Sequence, residues 1–207
     1  ENKGKTVKYI LKNKLGLSER LIKKLKMNRQ VLCNSSPVRI TEMVSPGDVI
    51  SAVLEFEEDS SDVLPEKIDI DIIYEDESLI VINKQPNMVV HPTFNHPSGT
   101  IANAVMYHLI AHGEKKKIRP VSRLDRNTSG IIIFAKNPFV QDFLMRQMGN
   151  AFTKEYIGIV HGNVCEDKGT INLPISRKPD SIMLRHVSET GLPSVTHFDV
   201  IERFNNA

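Results

Sequence analysis

The densest run of chemically capable residues is Arg119-Pro120-Val121-Ser122-Arg123-Leu124-Asp125-Arg126-Asn127-Thr128-Ser129-Gly130. Asp, Asn, Thr, Ser and Gly together favour a tight turn, because each hydrogen-bonds nearby backbone or tolerates unusual dihedrals. Asp125 stands between Arg123 and Arg126. Neighbouring guanidinium groups favour an ionised carboxylate, which could serve as nucleophile or base at neutral pH. The same triplet would also suit an Asp–Arg ion pair that merely fixes a turn. Local chemistry leaves both readings open.

A turn of this kind needs rigid elements on either side. Gly130–Lys136 is a short apolar run that suits a buried strand, and Ser78–Lys84 is another. Thr100–His112 carries Ile101, Ala104, Val105, His108 and Leu109 at helical spacing, with Gly113 just past its end. Pro138–Gln147 reads as a helix with proline at its first position and Phe139 and Phe143 one turn apart. Further strands are expected at Glu155–Val160 and Ser194–Phe204. The expected architecture is α+β, mixed and strand-rich.

The first 54 residues differ in character. They hold eight Lys and three Arg against four acidic residues, a net charge of +7 in a chain whose total is +2. The remainder is therefore net −5. A basic module beside an acidic one suggests an anionic partner, and nucleic acid is the usual candidate. A solvated lysine face with no partner is the competing explanation. Thr6 can cap a helix bearing Val7, Ile10 and Leu11, and Ser18 a second bearing Leu21, Ile22 and Leu25. The second helix turns Arg20, Lys23, Lys24 and Lys26 to its other faces. Short strands are expected at Gln30–Cys33, Val38–Ile40 and Val49–Phe56, with a turn at 44–48. Residues 57–67, acidic and poor in apolar side chains, read as a linker.

Several function classes lack support. No apolar run approaches the roughly 20 residues that span a bilayer, and no signal peptide opens the chain. Cys33 and Cys165 are far apart and read as reduced thiols of a cytoplasmic protein. The seven histidines form no ligand pair, so no metal is expected. Nucleotide loops and dinucleotide fingerprints are absent too. A small-molecule hydrolase would need a second acid or base beside Asp125, and none lies at suitable spacing.

The run Arg-Pro-Val-x-Arg-Leu-Asp-Arg-x-Thr-Ser-Gly, followed by an apolar stretch and Ala-Lys-Asn, resembles the catalytic motif of the RluA/RluD-type pseudouridine synthases. The resemblance extends to Ile73–Glu77, Val81–Lys84, Val89–Pro92 and Pro97–Thr100 upstream. Downstream it takes in Lys154–Tyr156, Val160–Gly162 and Gly191–Phe198. Residues 1–56 resemble the ribosomal-protein-S-four-like RNA-binding module, which places the synthase domain at 68–207 after the 57–67 linker.

The resemblance implies isomerisation of uridine to pseudouridine, with large-subunit ribosomal RNA as the partner. It implies Asp125 as the reacting carboxylate, Tyr156 as the residue stacking on the target base, and Arg123 as a stabiliser of the flipped-out RNA. Without it, Tyr156 reads as a half-buried strand tyrosine. Arg20, Lys23, Lys24, Lys26 and Arg126 are the expected RNA contacts. Base flipping is required because a carboxylate cannot reach the glycosidic carbon of a stacked nucleotide. No cofactor, metal or membrane is expected, and the protein should act as a monomer. A non-catalytic RNA-binding or ribosome assembly factor with the same fold is the alternative. Two positions depart from the pattern, with Ser122 where His is frequent and Asn127 where Asp is usual. The sequence also ends before a Gly-Arg-Thr-His-Gln-Ile-Arg-like segment whose basic residue pairs with the catalytic Asp, so the 207 residues alone are expected to turn over RNA weakly or not at all.

Overall fold

The computed structural model describes residues 4–54, 63–148, 151–181 and 183–204. The chain divides into two compact units, Glu1–Thr153 and Lys154–Ala207.

The first unit opens with α1 (Val7–Asn13) and α2 (Glu19–Met27). Thr6 and Ser18 cap them, their hydroxyl oxygens accepting from the Tyr9 and Leu21 amides. Val7, Leu11, Leu21, Ile22 and Leu25 bury one face of this pair against Val31 and Val44. Beneath them β1 (Val31–Cys33), β2 (Ser36–Pro37) and β3 (Ile50–Ala52) form an antiparallel sheet in the order β2-β1-β3. Asn34 and Ser35 both take positive φ, 51° and 67°, the mark of a tight two-residue hairpin. That hairpin puts Ser36–Pro37 opposite β1, and of the expected strand Val38–Ile40 only Val38 reaches it, its amide donating to the Val31 carbonyl at 3.0 Å. The Ile40 and Glu42 carbonyls instead accept from the Lys8 and Val7 amides, which helix α1 cannot itself satisfy. The strand expected over Val49–Phe56 is shorter than foreseen, and residues 55 and 56 lie outside the described residues.

A four-stranded antiparallel sheet follows, in the order β4-β5-β7-β6. Its strands are β4 (Asp71–Glu75), β5 (Leu79–Lys84), β6 (Arg119–Pro120) and β7 (Gly130–Ala135). Helix α3 (Ile101–Ala111) covers one face. Ile80 and Ile82 of β5, and Ile132 and Phe134 of β7, point inward at alternate positions. They meet Ile101, Ala102, Val105, Met106 and Leu109. Each such side chain removed from water contributes roughly 1.5–3 kcal/mol. Helix α3 is buried more broadly than an amphipathic stripe, since Ala102, Asn103 and Met106 are covered too.

Thr100 and Asn103 form a capping box at the start of α3. The Asn103 amide also donates to the Leu64 carbonyl at 2.7 Å, and the Gly99 amide donates to Glu66. Residues 57–62 of the expected linker lie outside the described residues; Val63–Lys67, by contrast, follow the core, with Val63 buried. Helix α4 (Pro138–Gln147) closes the unit. Its Phe139 packs on the α1–α2 core, and Arg146 donates to the Gly16 carbonyl.

In the second unit, β8 (Lys168–Asn172) pairs with β11 (Val195–Asp199), and β9 (Ile175–Arg177) with β10 (Arg185–Val187). Glu155–Val160, expected as a strand, joins no ladder among the described residues. Its residues are mostly apolar, yet Ile157 is 90% exposed and Ile159 81%. Apolar composition alone cannot make a strand when no neighbouring edge accepts its backbone. The strand expected over Ser194–Phe204 is confined to Val195–Asp199. Cys33, half-buried, and Cys165, exposed, are both free.

Candidate active site

Strands β5 and β7 run antiparallel with Lys84 opposite Gly130 and Leu79 opposite Ala135. The turn 121–129 therefore leaves the sheet beside the C-terminal end of β5. Leu124 packs down onto the core, while Arg123, Asp125, Arg126 and Asn127 face solvent. The Thr128 amide donates to the Asp125 carbonyl at 3.2 Å and tightens the turn. Gly130 then enters β7 at φ 123°, a conformation that L side chains rarely adopt.

Asp125 is exposed and makes no ion pair among the described residues. The Arg126 side chain turns instead to the Asn87 carbonyl, at 3.4 Å. An Asp–Arg pair is therefore not what fixes this turn. Lys84 does much of that work. Its side chain points inward, as the alternation Ile80, Ile82, Lys84 demands, and the residue is 0% exposed. The ammonium donates to the carbonyls of Gln85 (2.9 Å), Met88 (2.8 Å) and Arg126 (3.0 Å). Burial pulls the Lys84 pKa below its ordinary value, and the charge of Asp125, acting through space, partly opposes that shift. Sequence reasoning placed Lys84 only at the end of a buried strand. Period-two alternation could have flagged it as inward-facing, but no local pattern marks its contact with a carbonyl 42 positions away.

A buried lysine, Lys136, also follows the last residue of β7, in the same inward register as Ile132 and Phe134. The Lys136 ammonium donates to Glu75 at 2.7 Å and Glu114 at 2.8 Å. Burial alone would lower its pKa; the two carboxylates more than offset that and raise it. For Glu75 and Glu114 burial works upward, yet the bonds from Lys136, His108 and Lys116 hold both below the ordinary carboxylate range. This network closes the end of the sheet opposite the turn.

The remaining site residues fall in two places. Arg20, Lys23 and Lys26 are exposed on α2, and Lys24 is half-buried. Lys8 and Lys12 of α1 are neutralised in part by Glu19, each at 2.9 Å. Tyr156 lies in the second unit and is 66% exposed, well beyond a half-buried strand tyrosine.

Residues 78–207 match the RNA pseudouridylate synthase family, and residues 1–50 match the N-terminal domain of RluD ribosomal pseudouridine synthase. An uncharacterised RNA pseudouridine synthase of Bacillus subtilis, YjbO, is 39% identical over 188 residues, which is 90% of this chain and 66% of the relative. Ribosomal large subunit pseudouridine synthase D of Buchnera aphidicola is 38% identical over 188 residues, 90% of this chain and 60% of the relative. The chain thus spans about three-fifths to two-thirds of the length of these relatives. Human RNA pseudouridylate synthase domain containing 1 superposes with a TM-score of 0.48 at 21% identity, over 62% of this chain and 51% of that one. With residues 78–207, the turn and the strand pair that carries it included, matched to its model, the chain belongs to the RNA pseudouridylate synthase family.

Proposed function

We propose that this protein isomerises uridine to pseudouridine in large-subunit ribosomal RNA, with Asp125 as the reacting carboxylate. The observation that carries the reading is the state of Asp125: exposed, without an ion-pair partner among the described residues, on a turn braced from below by Lys84. A carboxylate so placed is open to a ribose brought out of its stack. The reaction breaks the bond from the sugar C1′ to uracil N1 and forms one from C1′ to C5. The proton on C5 leaves and N1 gains one, so no oxidant, group donor or cofactor enters. Keeping the freed uracil beside the carboxylate makes recombination intramolecular, which is where the rate advantage lies. In this reading Tyr156 stacks on the target base and Arg123 steadies the flipped-out strand.

Residues 1–56 serve as an S-four-like RNA-binding module, joined by the 57–67 segment to a synthase domain at 68–207. The exposed cations of α2, with Arg126 on the turn, contact phosphates. Large-subunit ribosomal RNA is favoured because the Buchnera relative's name specifies it and because the matched N-terminal domain is that of a ribosomal enzyme. The protein works in the cytoplasm as a monomer.

The test is Asp125→Asn in the intact protein, assayed on a large-subunit ribosomal RNA transcript. Pseudouridine should vanish while the dissociation constant for RNA stays within about threefold. Normal turnover by the variant would eliminate the assigned role.

A further inference from the structure

Helix α4 has no fully buried residue, unlike α1, α2 and α3. It is held instead by contacts with two separate parts of the first unit. Successive residues of a helix turn by about 100°, so Phe139 and Arg146, seven apart, share one face of α4, and Gln141 lies on the opposite one.

The first face meets the basic N-terminal module. Phe139 packs on the apolar cluster formed by α1 and α2. The Arg146 guanidinium donates to the Gly16 carbonyl, 130 positions away, and Asp142, one turn back, accepts from the same group and holds it there. Gly16 sits in the α1–α2 connection at φ 68°, two residues before the Ser18 cap. Arg146 thereby fixes the start of the helix that exposes Arg20, Lys23 and Lys26.

The second face meets the catalytic turn. The Gln141 side-chain amide donates to the Pro120 carbonyl at 3.2 Å. Pro120 ends β6, and the next peptide enters the turn, the Val121 amide donating to the Ile133 carbonyl at 2.8 Å. One short helix therefore bears on the root of the cationic helix and on the root of the turn that carries Asp125. From Gln141 to Arg146 the rise is roughly 7.5 Å.

We propose that α4 is a spacer that sets which uridine is modified, with Phe139 and Arg146 as specificity-determining positioning residues. This rests on the functional reading above. Phosphate contacts fix register and orientation on RNA but read no sequence. RNA gripped by the α2 cations meets the turn at one fixed span, and the uridine at that span presents its ribose to Asp125. A displacement of about 1 Å at a reacting group can cost about 100-fold in rate, so a loosened spacer changes selection steeply. Affinity survives, because covalent linkage keeps the module near the site whether or not it is docked.

The test compares wild type with the double variant Phe139→Ala, Arg146→Ala in the intact protein. Pseudouridine is mapped along a large-subunit ribosomal RNA transcript under single-turnover conditions. The ratio of the rate at the preferred uridine to the rate at all others should fall at least about tenfold. The RNA dissociation constant should stay within about twofold. Spin labels at Met27→Cys on α2 and Ile110→Cys on α3, both exposed, in an otherwise cysteine-free background, should give one narrow distance in wild type and a broad distribution in the variant. Should the double variant fail to fold, Arg146→Ala alone, at a half-exposed side chain, is judged by the same criteria. An unchanged ratio overturns the proposal. So does an equal loss of rate at every uridine, or a wild-type distance distribution as broad as that of the variant. A wild-type protein that forms no pseudouridine sinks the functional reading instead, and the distance measurement then decides the docking on its own.

Discussion

Replacing Lys136 by Met probes what holds the far end of the strand pair. The Lys136 side chain is 4% exposed, and Glu75 and Glu114 are 27% and 26% exposed at theirs. Breaking a fully buried pair by removing one partner costs about 3–5 kcal/mol, and an exposed pair is worth about 0–1 kcal/mol. This network lies between those limits. Each carboxylate keeps a second partner, Glu75 with His108 at 2.8 Å and Glu114 with Lys116 at 2.6 Å. Methionine also fills the stem's space without a charge to desolvate. We expect a loss of about 2 kcal/mol, which in a protein of this size lowers the melting temperature by about 4–8 °C.

The pH dependence has a defined sign. Glu75 and Glu114 have lowered pKa values in the folded state, so their contribution is complete above the ordinary carboxylate range and fades as pH falls through the lowered values. Lys136 has a raised pKa, so its share is complete below the ordinary lysine range and fades as pH rises through the raised value. The gap between wild type and variant should therefore be widest between about pH 5 and pH 10, and close on acidification. Thermal melts at pH 7 and pH 4 measure it. A shift under 1 °C at pH 7, or a gap unchanged at pH 4, would refute the argument. Turnover at 25 °C should stay within twofold, because Lys136 stands six residues along β7 from Gly130, about 20 Å away.

Two further outcomes are expected. A Cβ added at Gly191 would lie 2.6 Å from the Ile175 carbonyl carbon and 2.7 Å from its nitrogen. Backbone there is held by reciprocal Ile175–Leu192 hydrogen bonds at 2.9 Å and cannot yield. Gly191→Ala should thus strip hydrogen-exchange protection from Ile175 and Leu192. Gly169→Ala, whose Cβ meets only the outer ring of Phe198 at 2.6 Å, should be much milder, and equal damage from both would contradict this account. Changing Arg20, Lys23, Lys24 and Lys26 together to Ala should weaken RNA binding and flatten its salt dependence, by about 0.7–0.9 in slope for each phosphate that is no longer neutralised. An unaltered slope in a binding titration would show those cations to be merely solvated.

Local signals locate the helices well. Thr6, Ser18 and Thr100 cap where the cap chemistry of their side chains puts them, and α4 begins at Pro138 because proline favours the first helical position. The buried strands β5 and β7 are equally plain, since an apolar run bounded by polar residues has few other uses. The elements that sequence misplaces are those that depend on partners. Val38–Ile40 has the composition of a strand, but the Asn34–Ser35 hairpin already supplies β1 with its neighbour. Glu155–Val160 is rich in apolar and aromatic residues, yet whether it pairs is decided by an edge that its own residues do not encode. Strands β8, β9 and β10 escape a reading of pattern, because short polar segments such as Lys168–Asn172 carry little apolar periodicity and are defined by register with a partner.

The site divides along the same line. The turn is visible in sequence because its chemistry is contiguous, from Arg119 to Gly130. What braces it is not. The contact of Lys84 with Arg126 joins residues 42 apart. Such a tie follows from antiparallel pairing, which sets the end of β5 beside the start of β7. The pairing also explains why the two buried lysines differ. At the β7 end, the β4 strand and the loop after α3 bring Glu75 and Glu114 within reach, so Lys136 is neutralised where it stands. At the β5 end only backbone bonds to Lys84 among the described residues, and the acid whose charge bears on it is the one on the turn. An electrically closed end and an electrically open end of one strand pair are thus consequences of topology. The open end is the one that carries Asp125.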